Sequence, residues 1–581
     1  MTVTDLEKRF LDEVRVETAW KLIELFSMKP RWRPQDVNAA ADDITSALSA
    51  LGIPVQVCEP DLYLSVPLEA SIALDGAAIR AKAPSSSFSA PDGVSGELVH
   101  LEANRSNLRS YTRDIDGLFG GGIHTMADLS ERVRGKIPVL SGFGNPALTS
   151  LIEQAGGLGL IVANPGADVH WGTCTTIWGN PGLADLARKP RIPVAAVSAP
   201  DGERLMRRAD ETCGVVIRTT LQEGWFPQKI PVVTIPGASE PDDFILLHGH
   251  YDSWDVGVGD NATGDATLLE LARVLWNNRL QLRRSVKIAW WPGHSTGRYA
   301  GSTWFADNFA QELDHHCVAQ INCDSPGCRW ATSYHHTSAF SECAHIATTS
   351  IRDVVPDADI GIERPHQAGD YSFNNIGLSS LYMLSSTMPD ALRKEKGYYD
   401  VSGCGGNIAW HTENDTMEIA DPDVLLTDMK IYLLSVLRIA MPEVLPFRWT
   451  DTVSEIKHTL RNYDQMANGA GDFTAAHNAT AKFGKLIEGV FSSDCPPTRK
   501  NRLSMDLARI LVPINFTRLP RFEHDPAVTA KPLPVLSVAS EISKLDGNLR
   551  HCAVTDLMRG LNRYCAAIND GIRLLESIPS T

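Results

Sequence analysis

Hydrophobic residues recur at helical spacing in the N-terminal part of the chain. Residues 4–26 and 36–51 both show this spacing, and the second run ends at Gly52, just before the strand-like stretch VQV. A helix that leads into a strand is typical of the start of an α/β domain. From about residue 58 to 235 the pattern changes to short strand-like runs separated by glycine and proline, such as RIPVAAVS. We interpret this stretch as an inserted, β-rich domain.

Residues 236–445 alternate apolar strand-like runs with helical patterns. FILLHGHYD, SVKIAWW, VAQINCD and LSSLYML have the composition of buried strands, and TLLELARVLW has helical spacing between the first two. This alternation predicts an α/β fold with a mostly parallel sheet flanked by helices. Polar residues that follow such strands gather at the carboxyl edge of the sheet, where open α/β sheets bind their ligands.

Helical spacing returns after the sheet region and continues to the end of the chain. We therefore predict three parts: a catalytic domain formed by residues 1–57 and 236–445, the insert at 58–235, and a C-terminal helical domain at 446–581.

Charge and cysteine content narrow the possible partners. The 54 Lys and Arg residues against 70 Asp and Glu residues give a net charge of −16, which disfavours nucleic acid and anionic membranes as partners. The N-terminus is charged throughout, and the sequence has no apolar run long enough to cross a membrane, so we expect a cytoplasmic protein. Its 11 cysteines include no CxxC pair, which favours reduced thiols. A small molecule or short peptide-like substrate is the expected partner.

Histidines and aspartates stand at the ends of the predicted strands. His250 and Asp252 lie two positions apart and share a face, so the carboxylate can accept the second ring N–H of a metal-bound histidine. A surface histidine near an aspartate explains such a pair equally well when it stands alone. Here Asp260 follows in the glycine-rich loop VGVGDNATG, Asp324 ends VAQINCD and His411 opens HTENDT. Two histidines and two carboxylates suit one or two cations per chain, zinc or another divalent transition metal.

These motifs, in their order along the chain, resemble a known family. GHYDSW with VGD, then GSTWFADN, INCDS and HTENDT are similar to the motifs of the co-catalytic zinc peptidases, which include bacterial aminopeptidases, glutamate carboxypeptidase II and the transferrin receptor. The resemblance covers most of the chain. It implies a zinc exopeptidase-like fold, a protease-associated-like domain at 58–235 and a helical dimerisation domain at 446–581, and hence a homodimer.

The resemblance also implies roles for individual residues. Asp260 would bridge two metals, with His250 and Asp324 completing one site and His411 belonging to the other, and Asp252 would orient His250. The stretch QAGDYSFNNIG resembles the family segment before a late strand that lines the substrate pocket. Its Asp370 is therefore a candidate substrate-binding residue.

The sequence departs from the family where two adjacent glutamates are expected, one as general base and one as metal ligand. The chain has WWPGHSTGRYAGS there, and no Asp or Glu occurs between Glu270 and Asp307. His294 can replace either glutamate, because an ordinary histidine pKa of about 6.5 suits a general base and histidine is also a common metal ligand. A third interpretation is that His294 only forms a hydrogen bond in a degenerate pocket.

Two further residues are candidates for substrate binding. Arg298 has the guanidinium geometry that binds carboxylates, although a surface arginine is the simpler explanation. Trp410 is one of several aromatic residues near the site that can line an apolar pocket or pack against helices. The others are Tyr251, Trp254, Trp290, Trp291 and Tyr299.

Three functions follow from this pattern. The first is a metal-dependent hydrolase of an amide or peptide-like bond with a non-standard general base, in which the cation polarises the carbonyl. The second is a metal enzyme of altered chemistry on a small molecule. The third is a non-catalytic receptor or scaffold. Four retained costly polar groups favour an enzyme over the third possibility.

Overall fold

The structure is a computed structural model that describes residues 3–104, 114–384 and 386–577. In chain order, the strands of this part are β1 (Gln56–Cys58), β2 (Asp61–Leu74), β3 (Ala77–Arg80), β4 (Ala90–His100), β5 (Lys136–Ser141), β6 (Leu160–Ala163), β7 (Val194–Val197), β8 (Gly214–Pro227), β9 (Ile230–Ile235), β10 (Glu240–His250), β11 (Arg284–Trp291), β12 (Cys317–Asp324), β13 (Tyr334–Ala339), β14 (Ile360–Glu363) and β15 (Ser379–Leu384).

The helices of the same residues are α1 (Asp5–Glu13), α2 (Val16–Phe26), α3 (Pro34–Ala50), α4 (Ile115–Leu118), α5 (Met126–Val133), α6 (Pro146–Gln154), α7 (Ala199–Ala209), α8 (Thr263–Asn277), α9 (Ala300–Asn308), α10 (Ala310–His316), α11 (Ala344–Val354), α12 (Asp390–Glu395), α13 (Pro422–Ala440), α14 (Trp449–Ala467), α15 (Thr474–Ser492), α16 (Pro497–Phe516) and α17 (Gly547–Glu576). None of them is long and apolar enough to span a lipid bilayer.

An eight-stranded sheet forms the centre of the catalytic part. Its strand order is β1-β9-β11-β10-β12-β15-β13-β14. The four central strands β11, β10, β12 and β15 run parallel, whereas β9 and β13 pair antiparallel with their neighbours in the centre. This arrangement confirms the predicted α/β fold with a mostly parallel sheet.

Helices cover both faces of this sheet, as the nearly continuous apolar character of its strands requires. In β10, Ile245 and Leu247 belong to the core formed with α8 and α13, and Phe244 and Leu246 belong to a separate core on the side of α9 and α10. Successive strand residues point to opposite faces, so one strand supplies both cores. Helix α8 is almost entirely buried because it lies under the sheet and is in turn covered by α2 and α13.

A second, seven-stranded sheet lies between β1 and β9 in the chain. Its order is β3-β2-β8-β4-β5-β6-β7, with β4 to β7 parallel and β2, β3 and β8 antiparallel. Strand β9, which we had assigned to the insert, pairs with β1 and β11 in the first sheet. An apolar strand pattern predicts the strand itself but not the sheet that it joins. The insert is thus the part of the chain between β1 and β9.

The C-terminal region is helical. Helix α14 packs on α15, and α17 packs on both α15 and α16. Trp449 at the start of α14 is buried and donates a hydrogen bond to the Ser504 hydroxyl of α16 at 2.8 Å. Apolar residues of these helices, such as Leu460 and Tyr564, are continuous with the core beneath the first sheet. The helices therefore extend the catalytic core.

Candidate metal centre

Three neighbouring parallel strands bring candidate ligands to one edge of the first sheet. His250 is the last residue of β10, Asp324 is the last residue of β12, and His294 follows β11 by three residues. The His250 and His294 rings stack with centroids 3.7 Å apart and planes 16° from parallel. One possible ligand atom from each of these three residues lies within 4.8 Å of the others. The sheet alone thus assembles a set of His, His and Asp donors.

Asp260 lies between the two histidines that we predicted as ligands. Its Oδ1 atom is 3.1 Å from His250 Nε2, and its Oδ2 atom is 3.2 Å from His411 Nε2. The loop that carries it is fixed by Asp415, whose carboxylate accepts hydrogen bonds from the backbone N–H groups of Gly259 (2.6 Å) and Asp260 (3.0 Å). Burial opposes ionisation of Asp260, but the two imidazoles hold the pKa of this carboxyl well below its ordinary value.

The hydrogen bonds of His250 and His411 show which ring nitrogen is available to a ligand. His250 Nδ1 lies 2.9 Å from the carbonyl oxygen of Asp252, and His411 Nδ1 lies 3.1 Å from that of Trp171. A carbonyl oxygen can only accept, so Nδ1 donates in both residues and Nε2 points at Asp260. A lone pair on Nε2 and a carboxylate oxygen repel each other. The arrangement is favourable only if a proton or a metal cation lies between the two atoms.

Several features of this arrangement fit a divalent cation. His250 Nε2 is buried, lies 3.7 Å from Asp324 Oδ2, and makes no well-directed hydrogen bond within the described residues. Buried polar atoms are nearly always paired, and a cation between the ring and the carboxylates would satisfy this nitrogen. Mixed imidazole and carboxylate donors suit zinc and related divalent metals. The residues present therefore fit the metal that the motifs imply.

His294 is oriented by two buried aspartates. Its Nδ1 atom lies 2.9 Å from Asp370 Oδ2, and its backbone N–H donates to Asp252 Oδ1 at 3.0 Å. The other Asp252 oxygen accepts from the backbone N–H of Ser295 at 3.1 Å, and burial raises the pKa of Asp252. Ionised Asp370 accepts a hydrogen bond from the Nδ1–H group, which leaves the lone pair of His294 Nε2 available to a metal.

Two predicted residues take places that differ from those we expected. Asp370 is fully buried, and its second oxygen accepts from the Ser302 hydroxyl at 2.6 Å. It supports His294 from behind instead of facing a substrate. Asp252 holds His250 through its backbone carbonyl, and its carboxylate, 3.8 Å from His250 Nδ1, binds the loop after β11. A sequence pattern places such residues near a site but does not show which of their atoms are used.

His411 depends on the insert for its position. Its backbone is left-handed (φ 57°), and its carbonyl accepts from the backbone N–H of Trp171 at 2.8 Å while its ring donates to the carbonyl of the same tryptophan. The preceding Trp410 stacks on the His411 ring at 3.8 Å, and the Trp410 carbonyl lies 2.6 Å from His170 Nδ1. The sequence analysis missed His170 and Trp171, because nothing in the pattern links them to a loop 240 positions away.

A cavity lies above these residues, between the catalytic part and the insert. The insert contributes Phe143 and Trp171 to its wall, and the catalytic part contributes Arg298, Tyr299 and Trp410. The cavity opens directly onto Asp260, His294, Asp324 and His411. It is thus a cleft of mixed apolar and charged lining that ends at the candidate metal site.

The sequence of this region matches peptidase family M28 over residues 232–435. These residues are a peptidase family M28 domain. The family indicated by the motifs is thereby confirmed, and the domain coincides with the part of the first sheet that carries His250, Asp260, Asp324 and His411.

Curated proteins similar to this domain include a plant protein. The probable glutamate carboxypeptidase VP8 of Zea mays is 25% identical over 244 residues, which is 40% of this chain and 34% of that protein. The curated relatives that match are covered over about a third of their length or less.

Solved structures share the fold. The peptidase M28 precursor of Shewanella amazonensis superposes with a TM-score of 0.56 at 16% identity, over 76% of this chain and 97% of that one. The zinc aminopeptidase BSAP of Bacillus subtilis superposes with a TM-score of 0.54 at 17% identity, over 74% and 96% of the two chains.

Proposed function

We propose that the M28 domain makes this chain a metal-dependent hydrolase of an amide or peptide-like bond in a small substrate. The observation that carries the proposal is the pair of His250 and His411 Nε2 atoms, which both face Asp260 while both Nδ1 atoms donate to backbone carbonyls. This geometry supports a cation between the rings and the carboxylate. The names of the relatives, a glutamate carboxypeptidase and a zinc aminopeptidase, support peptide-bond hydrolysis and zinc.

In this proposal, His250, Asp260, Asp324 and His411 hold zinc or a related divalent metal, one or two ions per chain. When bound, the metal supplies a Lewis acid that polarises the scissile carbonyl. The protein contributes the fixed direction of its donor atoms. Each histidine is held in one tautomer by a backbone carbonyl, which also raises its basicity as a ligand.

We infer that His294 takes over the ligand role of the missing glutamate pair. Its ring stacks on His250, its donor atom belongs to the same group as those of His250 and Asp324, and Asp370 keeps the proton on Nδ1. It lies on the side of His250, because β11 is the direct neighbour of β10 in the sheet. A general-base role is the competing possibility, which the His294 variants described below distinguish from the ligand role.

The cleft between the catalytic part and the insert favours a small or short peptide-like substrate. It ends at the buried groups of the sheet edge, and its wall includes the aromatic rings of Phe143, Trp171 and Trp410. Such rings exclude water and offer contact area to an apolar group of the substrate.

The test is turnover combined with metal analysis. Purified protein is assayed with a panel of aminoacyl amides, N-acylated amino acids and dipeptides, before and after chelation and after zinc is restored. We expect hydrolysis of some amides that is lost with the metal and returns with it. Asp260→Ala should be inactive although folded. Hydrolysis that survives chelation and the Asp260→Ala substitution would contradict the proposal.

We also propose a homodimer, because the helical region at 446–581 resembles the dimerisation domain of the family. Large apolar residues on these helices, Met466, Leu549 and Met558, are exposed in the single chain. Such residues are often covered by a second subunit. Light scattering at micromolar concentration should give about twice the chain mass of 63.5 kDa. A monomer at that concentration would contradict this part of the proposal.

A further inference from the structure

Arg298 is a buried residue, and none of the described residues gives its guanidinium a hydrogen-bond or ion-pair partner. The residue is 8% exposed and lines the cleft together with His294 and Tyr299. Its Nε atom has no hydrogen-bond partner, and no carboxylate of the described residues lies within ion-pair distance of it. The guanidinium carbon lies 4.8 Å from the centre of the neighbouring Tyr299 ring.

The other buried arginines of the described residues are paired. Arg31 donates four hydrogen bonds to backbone carbonyls, and Arg509 donates five. Arg284 binds three carbonyls and Glu240, and Arg438 contacts Glu7 and Asp353. A buried charge without a partner is costly, so an external anion that paired with Arg298 would remove this cost.

The turn that carries Arg298 is fixed by contacts with the insert. Arg298 and Tyr299 both have left-handed backbones, with φ of 46° and 74°. The Arg298 carbonyl accepts from Gly179 N–H at 2.7 Å, and the Tyr299 ring packs on Trp178 at 4.4 Å. Sparsely populated conformations of this kind persist only where the surroundings hold them, and they concentrate at binding sites. Arg298 is therefore held in place at the cleft.

Arg298 lies close to His294 of the candidate metal site. Tyr299 N–H donates to the His294 carbonyl at 3.0 Å, so the turn folds back on the residue that stacks with His250. The carboxylates of Asp260 and Asp324 line the same cleft but are directed to the histidines. Within the described part of the chain, the cleft thus has the candidate metal site at one end and the Arg298 guanidinium beside it.

We propose that Arg298 binds a carboxylate of the substrate, so that the protein acts on amides that carry a free carboxylate close to the scissile bond. A guanidinium matches a carboxylate with two parallel hydrogen bonds, which gives both affinity and orientation. The carboxylate is either the α-carboxylate of the residue at the C-terminal side of the bond or an acidic side chain. This inference rests on the proposed hydrolase function, of which it names the substrate class.

The test is calorimetric binding of three probes to the full-length, metal-loaded protein, since binding does not depend on turnover. N-acetylalanine carries an α-carboxylate, N-acetylalaninamide carries none, and the α-amide of N-acetylglutamic acid carries only a side-chain carboxylate. At least one carboxylate probe should bind about tenfold to a hundredfold more tightly than the uncharged amide. The probe with the larger advantage identifies which carboxylate the site recognises.

The variants decide whether Arg298 is responsible. Arg298→Gln should remove the advantage of the carboxylate probes, Arg298→Lys should keep part of it, and Arg204→Gln, at an exposed position of α7, should keep all of it. A folded Arg298→Gln protein that still prefers carboxylates would overturn the inference and assign them to the metal. Absence of carboxylate preference in the wild type would overturn it as well. If the protein hydrolyses amides but does not prefer carboxylate probes, the proposed hydrolase function stands and the role of Arg298 is refuted. If it prefers carboxylate probes but hydrolyses no amide, only the proposed hydrolase function is refuted.

Discussion

The two histidines that face Asp260 are held by different parts of the chain. His250 ends a central strand, and its ring donates to the carbonyl of Asp252, two positions further on. His411 lies on a loop with a left-handed backbone, and its ring donates to Trp171 of the insert. The chemical result is the same, because both Nε2 atoms point at one carboxylate. The comparison teaches that half of this site belongs to the sheet and the other half requires the insert.

The largest expected effect concerns His294, on the His250 side. His294→Ala should lower kcat by roughly 10²–10⁴-fold, the usual loss when a group that acts in acid–base catalysis is removed, and a lost ligand should cost no less. Loss of metal together with recovery of activity in excess zinc would identify a ligand, whereas retained metal would identify a base. His294→Glu restores the residue type of the family and should recover part of the activity. Unchanged metal content and unchanged rate in His294→Ala would contradict both roles.

Asp370 tests whether the His250 side needs its buried support. Asp370→Asn removes the negative charge that accepts the hydrogen bond from His294 Nδ1–H, so the preference for the tautomer with the proton on Nδ1 becomes weaker. We expect metal affinity or kcat to fall by about 10–100-fold with little change in KM, which is typical of groups that orient a ligand. Ser302→Ala is the matched control, because it removes the other hydrogen bond to Asp370 but leaves His294 in contact. Equal effects of the two substitutions would argue against a specific role for the Asp370–His294 contact.

Lys82 tests the His411 side, where the smallest effect is expected. Its ammonium lies 2.8 Å from Glu413, in the same loop as His411, and 4.6 Å from the Trp171 ring centre. Lys82→Met should weaken zinc binding by up to about tenfold, measured by competition with a chelator, because the buried Lys82 side chain links the loop to the insert through Glu413. Arg80→Met is the control. It removes an ion pair with the same Glu413 from a side chain that is 77% exposed, and exposed pairs contribute little.

Equal zinc affinities of Lys82→Met and Arg80→Met would mean that this pair does not position His411. Support from the insert would then be limited to the backbone of Trp171. A larger loss in Lys82→Met than in Asp370→Asn would reverse the order that we expect for the two sides of the site.

The same comparison explains how far the sequence could predict the molecule. His250 and Asp324 were predictable because they end apolar strands, and parallel strands end at one edge of a sheet. The side on which His294 lies was not, since the pattern gives strands but not their order, and β11 is the direct neighbour of β10. Trp171 and Lys82 were missed because contacts between distant segments leave no local periodicity. Asp370 contacts His294, but the direction of its carboxylate depends on packing around Ser302, which the sequence pattern does not show.

The central claim is that His250 and His411 hold metal at Asp260, and metal content tests it most directly. Zinc per chain is measured by elemental analysis of purified wild type, His250→Ala, His411→Ala and the double variant, with His551→Ala at an exposed position of α17 as the control. We predict about one or two metal ions in the wild type and the control, less in each single variant, and essentially none in the double variant. Wild-type metal content in a folded double variant would contradict the account.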